Sequence, residues 1–256
     1  MNYINSIMTK NPCYKAGKKI TPKGLMLHSV GCPQPKASVF INQFNQPTYN
    51  KACVHAFIDA NDGVVYQTLP WDHRGWHAGG SANNTHIGVE MCEPNCIKYT
   101  TGSKFTCSDL EKAQEMAKTT YNSAVELFAD LCKQYELNPL TDIISHSEGY
   151  KKGIASNHGD PEHLWKGLKL PYTMDGFRED VKNKLDGNNK LTKSYKVRVS
   201  ITNLNIRKGA GLSFPVVALC PKGCYTIIET TNKDGYEWGK LKSGVGWVAL
   251  KYTQKI

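Results

Sequence analysis

Near Asp186 the residue pattern changes character. Before it, apolar runs of strand length alternate with segments of helical periodicity. After it come about sixty residues of short apolar runs separated by glycine turns, with no helical signal. A layered arrangement of strands and helices does not continue into the second pattern, so the chain reads as two domains. Asp186-Gly-Asn-Asn-Lys-Leu-Thr-Lys193 is polar, with little to bury, and has the composition of a linker. The expected division is residues 1–185, a linker over 186–194, and residues 195–256.

Within the first part, Gly24-Leu-Met-Leu-His-Ser-Val30 is a short apolar run of buried-strand type. Residues 36–46 predict a short helix carrying Val39, Phe40 and Phe44. Val54–Ile58 and Val64–Leu69 flank an Asn-Asp-Gly turn and predict a hairpin. His86–Cys92 reads as a further strand. Ser108 with Glu111 predicts a capping box opening a long helix that ends at Asn138-Pro139. Asp142–Ser145 reads as a strand and Met174–Leu185 as a last helix. The order describes an α/β fold, a sheet flanked by helices. Beyond residue 194, runs at Tyr195–Ile201, Val216–Leu219, Tyr225–Glu229, Glu237–Lys240 and Gly246–Leu250 predict a small all-β barrel or sandwich.

Composition narrows the function classes. With 40% hydrophobic, 10% aromatic and 21% charged residues, the chain has the make-up of a globular protein, not a disordered or collagenous one. No apolar run reaches the ~18–20 residues that span a bilayer, so no membrane insertion is expected. Met1–Ile7 has neither a basic start nor an apolar stretch, so no signal peptide is expected. Charge is unevenly spread: residues 187–256 hold 12 basic and three acidic side chains, a net +9 out of the chain's +10. That tail points to an acidic polymer as partner: nucleic acid, anionic lipid or a phosphate-bearing wall. Its aromatics are not interleaved as base-stacking requires, which argues against nucleic acid. The nine cysteines are expected as reduced thiols. Cys92/Cys96 and Cys220/Cys224 lack the second half of a zinc site.

All eight histidines fall in the first part. His28 lies inside an apolar strand, where its ring needs a partner. His146 ends another strand and precedes a glycine-rich stretch, Gly149–Gly153, that leads to Ser156-Asn-His-Gly-Asp-Pro161. Two imidazoles from strand ends and a third ligand from a loop make the inner sphere of a catalytic zinc site with one position left for water. Residue types and spacing alone do not fix such a site.

Gly24-Leu-Met-Leu-His-Ser, Val54-His-Ala-Phe, Arg74-Gly-Trp-His-Ala-Gly79, His86-Ile-Gly-Val-Glu90, Ser145-His146 and Asp160-Pro161 occur in one order. That succession resembles the zinc-dependent N-acetylmuramoyl-L-alanine amidases of the amidase-2 type, which include phage lysins, bacterial amidases and animal peptidoglycan recognition proteins. The likeness covers about residues 1–185. It implies a mixed central β-sheet flanked by helices, with Zn2+ held by His28, His146 and Asp160. It also implies Glu90 as the general base. Many members carry Lys where this chain has His158; an imidazole N–H there supports an oxyanion, or His158 is itself the third ligand with Asp160 behind it. By the same likeness Trp76 and His77 line the substrate groove. Arg74 and Asn83 are candidates for contacting a peptide carboxylate or sugar, whereas His55 packs on the sheet and His163 is structural.

Leu204-Asn-Ile-Arg207 with its following glycine, and Gly246-Trp-Val248, resemble bacterial SH3-type (SH3b) modules over about residues 195–256. Such modules bind cell wall. Tyr236, Trp238 and Trp247 are candidate contact aromatics, with Trp247 assigned to the core. The expected whole is a hydrolase that holds Gram-positive peptidoglycan through both domains and cuts the bond from N-acetylmuramic acid to L-alanine. The role expected is that of a phage endolysin released from the host cytoplasm through a holin lesion, or of an autolysin exported by a non-Sec route. The competing expectation is a recognition protein that binds peptidoglycan without cutting it.

Overall fold

Six consecutive buried residues, Gly24-Leu-Met-Leu-His-Ser29, form the strand on which the first unit is built. A run buried on both faces belongs inside a sheet with parallel neighbours, and that is where it lies. The computed structural model describes residues 3–189 and 194–256. They divide into two compact units, one ending at Lys182 and one running from Asn183 to Ile256.

In chain order the first unit comprises β1 (Ile4–Asn5), α1 (Pro12–Lys15), β2 (Gly24–Ser29), α2 (Ala37–Phe44), β3 (Ala56–Ile58), β4 (Val65–Gln67), β5 (His86–Met91), β6 (Ile97–Tyr99), β7 (Phe105–Cys107), α3 (Leu110–Tyr135), α4 (Pro139–Asp142), β8 (Ile143–Ser145), α5 (His146–Lys151), α6 (Glu162–Gly167) and α7 (Met174–Leu185), of which all but the last three residues fall in this unit. Six strands make one sheet in the order β1-β4-β3-β5-β2-β8. β2 runs parallel to β5 and β8, while β3 and β4 form an antiparallel hairpin. The mixed central sheet and its helices match the sequence expectation.

Three local differences have physical causes. α3 starts one residue later than expected: Asp109, not Ser108, is the N-cap, its carboxylate accepting from Lys112 N at 3.0 Å. The stretch at Gly149–Gly153 is not simply a loop, because Ser145 and Glu148 form a capping box that starts α5 at His146 itself. Gly149 fits that helix against the sheet, since a Cβ there would approach Met26 Cε to 2.8 Å. The β6–β7 hairpin and α6 have too few periodic residues to show in the sequence.

α3 buries Ala113, Met116, Ala117, Ala124, Phe128 and Leu131 along one stripe and packs on β3 and β5. Phe57 of β3 stacks on Phe40 of α2 at 5.2 Å. Met26, Ala78, Ala82 and Ile144 form a smaller cluster beside the site described below.

The second unit contains β9 (Asn188–Asn189), β10 (Tyr195–Val199), β11 (Leu204–Arg207), β12 (Val216–Cys220), β13 (Gly223–Lys233), β14 (Tyr236–Leu241), β15 (Trp247–Ala249) and β16 (Gln254–Lys255). The strands pair antiparallel in the order β12-β11-β15-β14-β13-β10-β16, with β9 on β13. Part of the expected linker is therefore strand; its residues 190–193 lie outside the described residues. Val197, Val199, Leu204, Ile206, Ile227 and Val248 are among its core residues. Trp238, 2% exposed, is the buried tryptophan, not Trp247. Strand alternation sends Val248 inward, and Trp247 stays half-buried with the Lys240 ammonium 5.7 Å from its ring centre.

Candidate metal centre and catalytic site

The site is assembled from two parallel strands, one helix start and one loop. His28 is the fifth residue of β2, paired in register with Glu90 on β5, just as Met26 is paired with Gly88. Alternation puts Met26 and His28 on one face. His146 is the first residue of α5, directly after β8, the other neighbour of β2. Asp160 precedes α6, and its carbonyl accepts from Ser147 N at 3.2 Å, which ties the loop to the start of α5. The helix carrying His146 is clamped from α7. Arg178 donates to both Glu148 carboxylate oxygens at 2.9 Å and to the Ile143 carbonyl at 3.0 Å.

His28, His146 and Asp160 are 1%, 4% and 7% exposed, and their ligand-type atoms all lie within 4.8 Å of one another. His28 Nδ1 is 3.0 Å from His146 Nδ1 and 3.2 Å from Asp160 Oδ2; His146 Nδ1 is 3.7 Å from Asp160 Oδ1. Two bare imidazole nitrogens 3.0 Å apart repel unless a proton or a cation lies between them. Burial, reinforced by the charge on His28, lowers His146 to about 4, so near neutrality this ring offers a lone pair. Burial opposes ionisation of Asp160, but the hydrogen bond and charge of His28 hold its carboxyl below the usual value. Two nitrogens and one carboxylate oxygen, buried and convergent, are a donor set that fits Zn2+. Of the two candidates for third ligand, the structure brings Asp160 to this group.

His158 is exposed and lies on the far side of His146. Its Nδ1 is 3.2 Å from His146 Nε2 and 3.1 Å from Ser156 Oγ. If His146 presents Nδ1 as a lone pair, its proton sits on Nε2 and faces Ser156 Oγ, also at 3.2 Å, and His158. His158 then keeps its own proton on Nε2.

Glu90 is half-buried, with Oε2 fully enclosed and lacking a hydrogen-bond partner among the described residues. Burial pushes its carboxyl up to about 8, against the opposing charge of His28. A desolvated carboxyl beside a cluster of donors is arranged to take and return a proton.

His77 is buried, with both ring nitrogens engaged by protein atoms. Nδ1 is 3.0 Å from His28 Nε2, and Nε2 donates to the His86 carbonyl at 3.0 Å. It sits beneath His28 and has no free nitrogen for a substrate. Trp76 packs half-buried against the cluster of Met8, Cys13, Cys53 and Leu69. Asn83 is also used internally, its Oδ1 accepting from His77 N and Ala78 N at 2.9 Å each. His55 is buried as expected, accepting from Gly88 N and donating to the His73 carbonyl.

A second polar cluster was not singled out by sequence. Glu93 is fully buried, accepts from Gly31 N at 3.1 Å and from Tyr99 Oη at 2.8 Å, and is pushed up to about 7 by burial. Tyr99 Oη also lies 2.7 Å from His163 Nε2, which gives His163 its structural partner. Glu93 follows the β5 strand pattern, and only its place between Cys92 and Pro94 set it apart in the sequence.

The chain is similar to known proteins in sequence and in fold. The chain is 51% identical over 118 residues to the N-acetylmuramoyl-L-alanine amidase CwlH of Bacillus subtilis (strain 168), covering 43% of this chain and 44% of that one. It therefore spans less than half the length of that relative. To the N-acetylmuramoyl-L-alanine amidase CwlA of a Bacillus species it is 22% identical over 226 residues, 83% of each chain. The structure of the Staphylococcus aureus hydrolase AmiA, solved with its ligand, superposes with a TM-score of 0.54 at 19% identity, over 72% of this chain and 83% of that one; the likeness is one of fold. The family model described as N-acetylmuramoyl-L-alanine amidase matches residues 18–163, more than half of the sequence, and this chain belongs to that family.

Proposed function

We propose that the chain is a zinc-dependent peptidoglycan hydrolase that cuts the amide between N-acetylmuramic acid and the L-alanine of the stem peptide, a cell-wall lytic activity. The observation that carries the reading is the buried His28–His146–Asp160 group with Glu90 on the adjoining strand, its Oε2 without a hydrogen-bond partner among the described residues. Membership of the amidase family and the likeness to CwlH supply the bond class.

His28 Nδ1, His146 Nδ1 and an Asp160 carboxylate oxygen would hold the ion, and what it supplies when bound is Lewis-acid polarisation of the scissile carbonyl and of water. The rest falls to this chain's side chains. Glu90 Oε2 takes the proton of the attacking water and returns it to the departing alanine nitrogen, a task suited to a carboxyl tuned towards neutrality. His158 Nε2–H stabilises the negative charge that develops on the carbonyl oxygen, held in place through its Nδ1 on the Ser156–His146 pair. A donor of this kind contributes about 3–4 kcal/mol to the transition state.

The second unit is read as an SH3b-like module that retains the enzyme on the wall. A groove of about 320 Å³ on this unit is lined by Tyr236, Trp238, Tyr252, Asn203, Asn205 and Arg207, among others. Aromatic faces beside amide and guanidinium donors suit a peptide or sugar polymer.

The test is digestion of purified Gram-positive sacculi, with mass spectrometry of the soluble products. Free stem peptides beginning at L-alanine, abolished by a chelator and restored by zinc, are expected. Sacculi that capture the protein but stay intact would instead make it a binding protein.

A further inference from the structure

We propose that His77 is the positioning residue for His28, accepting the His28 Nε2 proton on its own Nδ1 and so fixing the tautomer whose Nδ1 lone pair faces His146 and Asp160. The proposal rests on the reading of that trio as the metal-holding group, and it gives the Trp76-His77-Ala78-Gly79 stretch a supporting role.

The proton assignment follows from what each partner can do. The His86 carbonyl only accepts, so His77 Nε2, 3.0 Å away, carries a hydrogen. His77 is buried against the rings of His28 and His55, with no carboxylate among its hydrogen-bond partners in the described residues, an environment that favours the neutral imidazole. A neutral ring with hydrogen on Nε2 has a bare Nδ1. Among the described residues, that nitrogen meets His28 Nε2 at 3.0 Å, which must therefore donate. A neutral His28 with its proton on Nε2 has its lone pair on Nδ1, the atom 3.0 Å from His146 Nδ1 and 3.2 Å from Asp160 Oδ2. One carbonyl on β5 thus dictates, through two rings, which nitrogen is presented at the centre. Partners of this kind fix ring orientation and raise ligand basicity.

The His77 ring has a purpose-shaped seat. A Cβ on Gly88 would collide with His77 Cγ and Nδ1, and one on Gly75 would come within 2.7 Å of His77 Cδ2. Neither glycine has a left-handed backbone, so the room for the ring is what calls for glycine. From below, Asn83 Oδ1 holds the backbone of both His77 and Ala78. The next residues reach the second imidazole: the Ala78 carbonyl accepts from Ser156 N at 2.8 Å and from Ser156 Oγ at 3.2 Å, and Ser156 Oγ faces His146 Nε2. Gly79, at φ +64°, sits where a Cβ would lie 2.6 Å from Ser156 Oγ. One short segment therefore supports both imidazoles from behind.

The test uses the full chain in two measurements. The first is nitrogen-15 NMR of the wild-type protein with Zn2+ added, so that a cation and not a proton lies between the His28 and His146 Nδ1 atoms. A proton on His28 Nε2 is expected; a proton on Nδ1 overturns the proposal. The second is zinc affinity by competition with a chelator. His77→Leu, which removes the acceptor, should weaken zinc binding about 10–100-fold, while His77→Asn, which offers an amide oxygen near the place of Nδ1, should retain most of it. Equal affinity in His77→Leu and wild type would overturn the assignment, as would equal loss in both variants. A wild-type protein that binds no zinc would sink the metal reading and this proposal with it, whereas a zinc-binding wild type with the His28 proton on Nδ1 would sink the proposal alone.

Discussion

At the scale of single residues the site is built from groups held away from their ordinary protonation. Glu90 is the clearest case. Burial disfavours the charge and pushes its carboxyl up to about 8 from the 4.5 of a free side chain. Between those values the folded state keeps a proton that the unfolded chain has released. Stability is therefore drawn down as the pH rises from 4.5 towards 8, by at most roughly 1.4 kcal/mol per pH unit. Glu90→Gln removes this contribution. In urea unfolding of the metal-free protein at pH 5, 7 and 9, the variant should gain on wild type as the pH rises. A difference that stays constant would show that the carboxyl is not desolvated. The same variant should lose about 10²–10⁴-fold in amide hydrolysis while binding zinc as before; zinc loss would move Glu90 into the ligand set.

At the scale of elements, the centre depends on how α5 is held. Arg178 on α7 forks onto Glu148, the residue that also caps α5 from within, and reaches the carbonyl of Ile143 at the start of β8. Burial tends to raise the Glu148 carboxyl, but the Arg178 hydrogen bond and the Ser145 amide outweigh it and hold the group below 4.5. A depressed acid contributes its stability fully above the unfolded value and loses it as the pH falls through the folded one. Arg178→Leu should therefore be destabilised by about 1–3 kcal/mol near neutrality, and its deficit against wild type should shrink as the pH drops below 4.5. Thermal unfolding across that range checks it, and a deficit independent of pH would assign the loss to packing alone.

The same elements show what the sequence could and could not reveal. β2, β5, α3 and α7 carry enough apolar residues at the right period to be read directly. α5 was hidden because Gly149 and Gly153 suggest a loop, although the Ser145–Glu148 capping box was present in the sequence. His77 was visible only as part of a family resemblance. Its hydrogen bond to His28 joins residues 49 apart and depends on a parallel register between β2 and β5 that no local pattern encodes. The exchange of Trp238 for Trp247 in the core has a similar origin, since it is settled by which face of β14 and β15 turns inward.

For the molecule as a whole, charge and chemistry are divided between the units. The site lies in a part of the chain with nearly balanced charge: 20 basic and 19 acidic residues up to Asp186. Nearly all the net charge lies beyond it: residues 187–256, which carry the second β-sheet, hold 12 basic side chains against three acidic ones. Charge that takes no part in catalysis but stays on a surface acts on encounter and retention, and it does so through a field that salt screens. Raising salt from about 0.1 to 1 M shortens the screening length from about 10 to 3 Å. Retention on sacculi rich in phosphate polymers should then fall several-fold, while hydrolysis of a soluble muramyl-peptide fragment should change little, because the proposed reaction is assigned to the buried trio and Glu90. Sacculi stripped of their phosphate polymers should show weaker retention with little salt dependence, the remainder coming from the aromatic groove. Retention that ignores both salt and stripping would assign wall binding to the groove alone, and the basic surface would then have no part in holding the enzyme at its substrate.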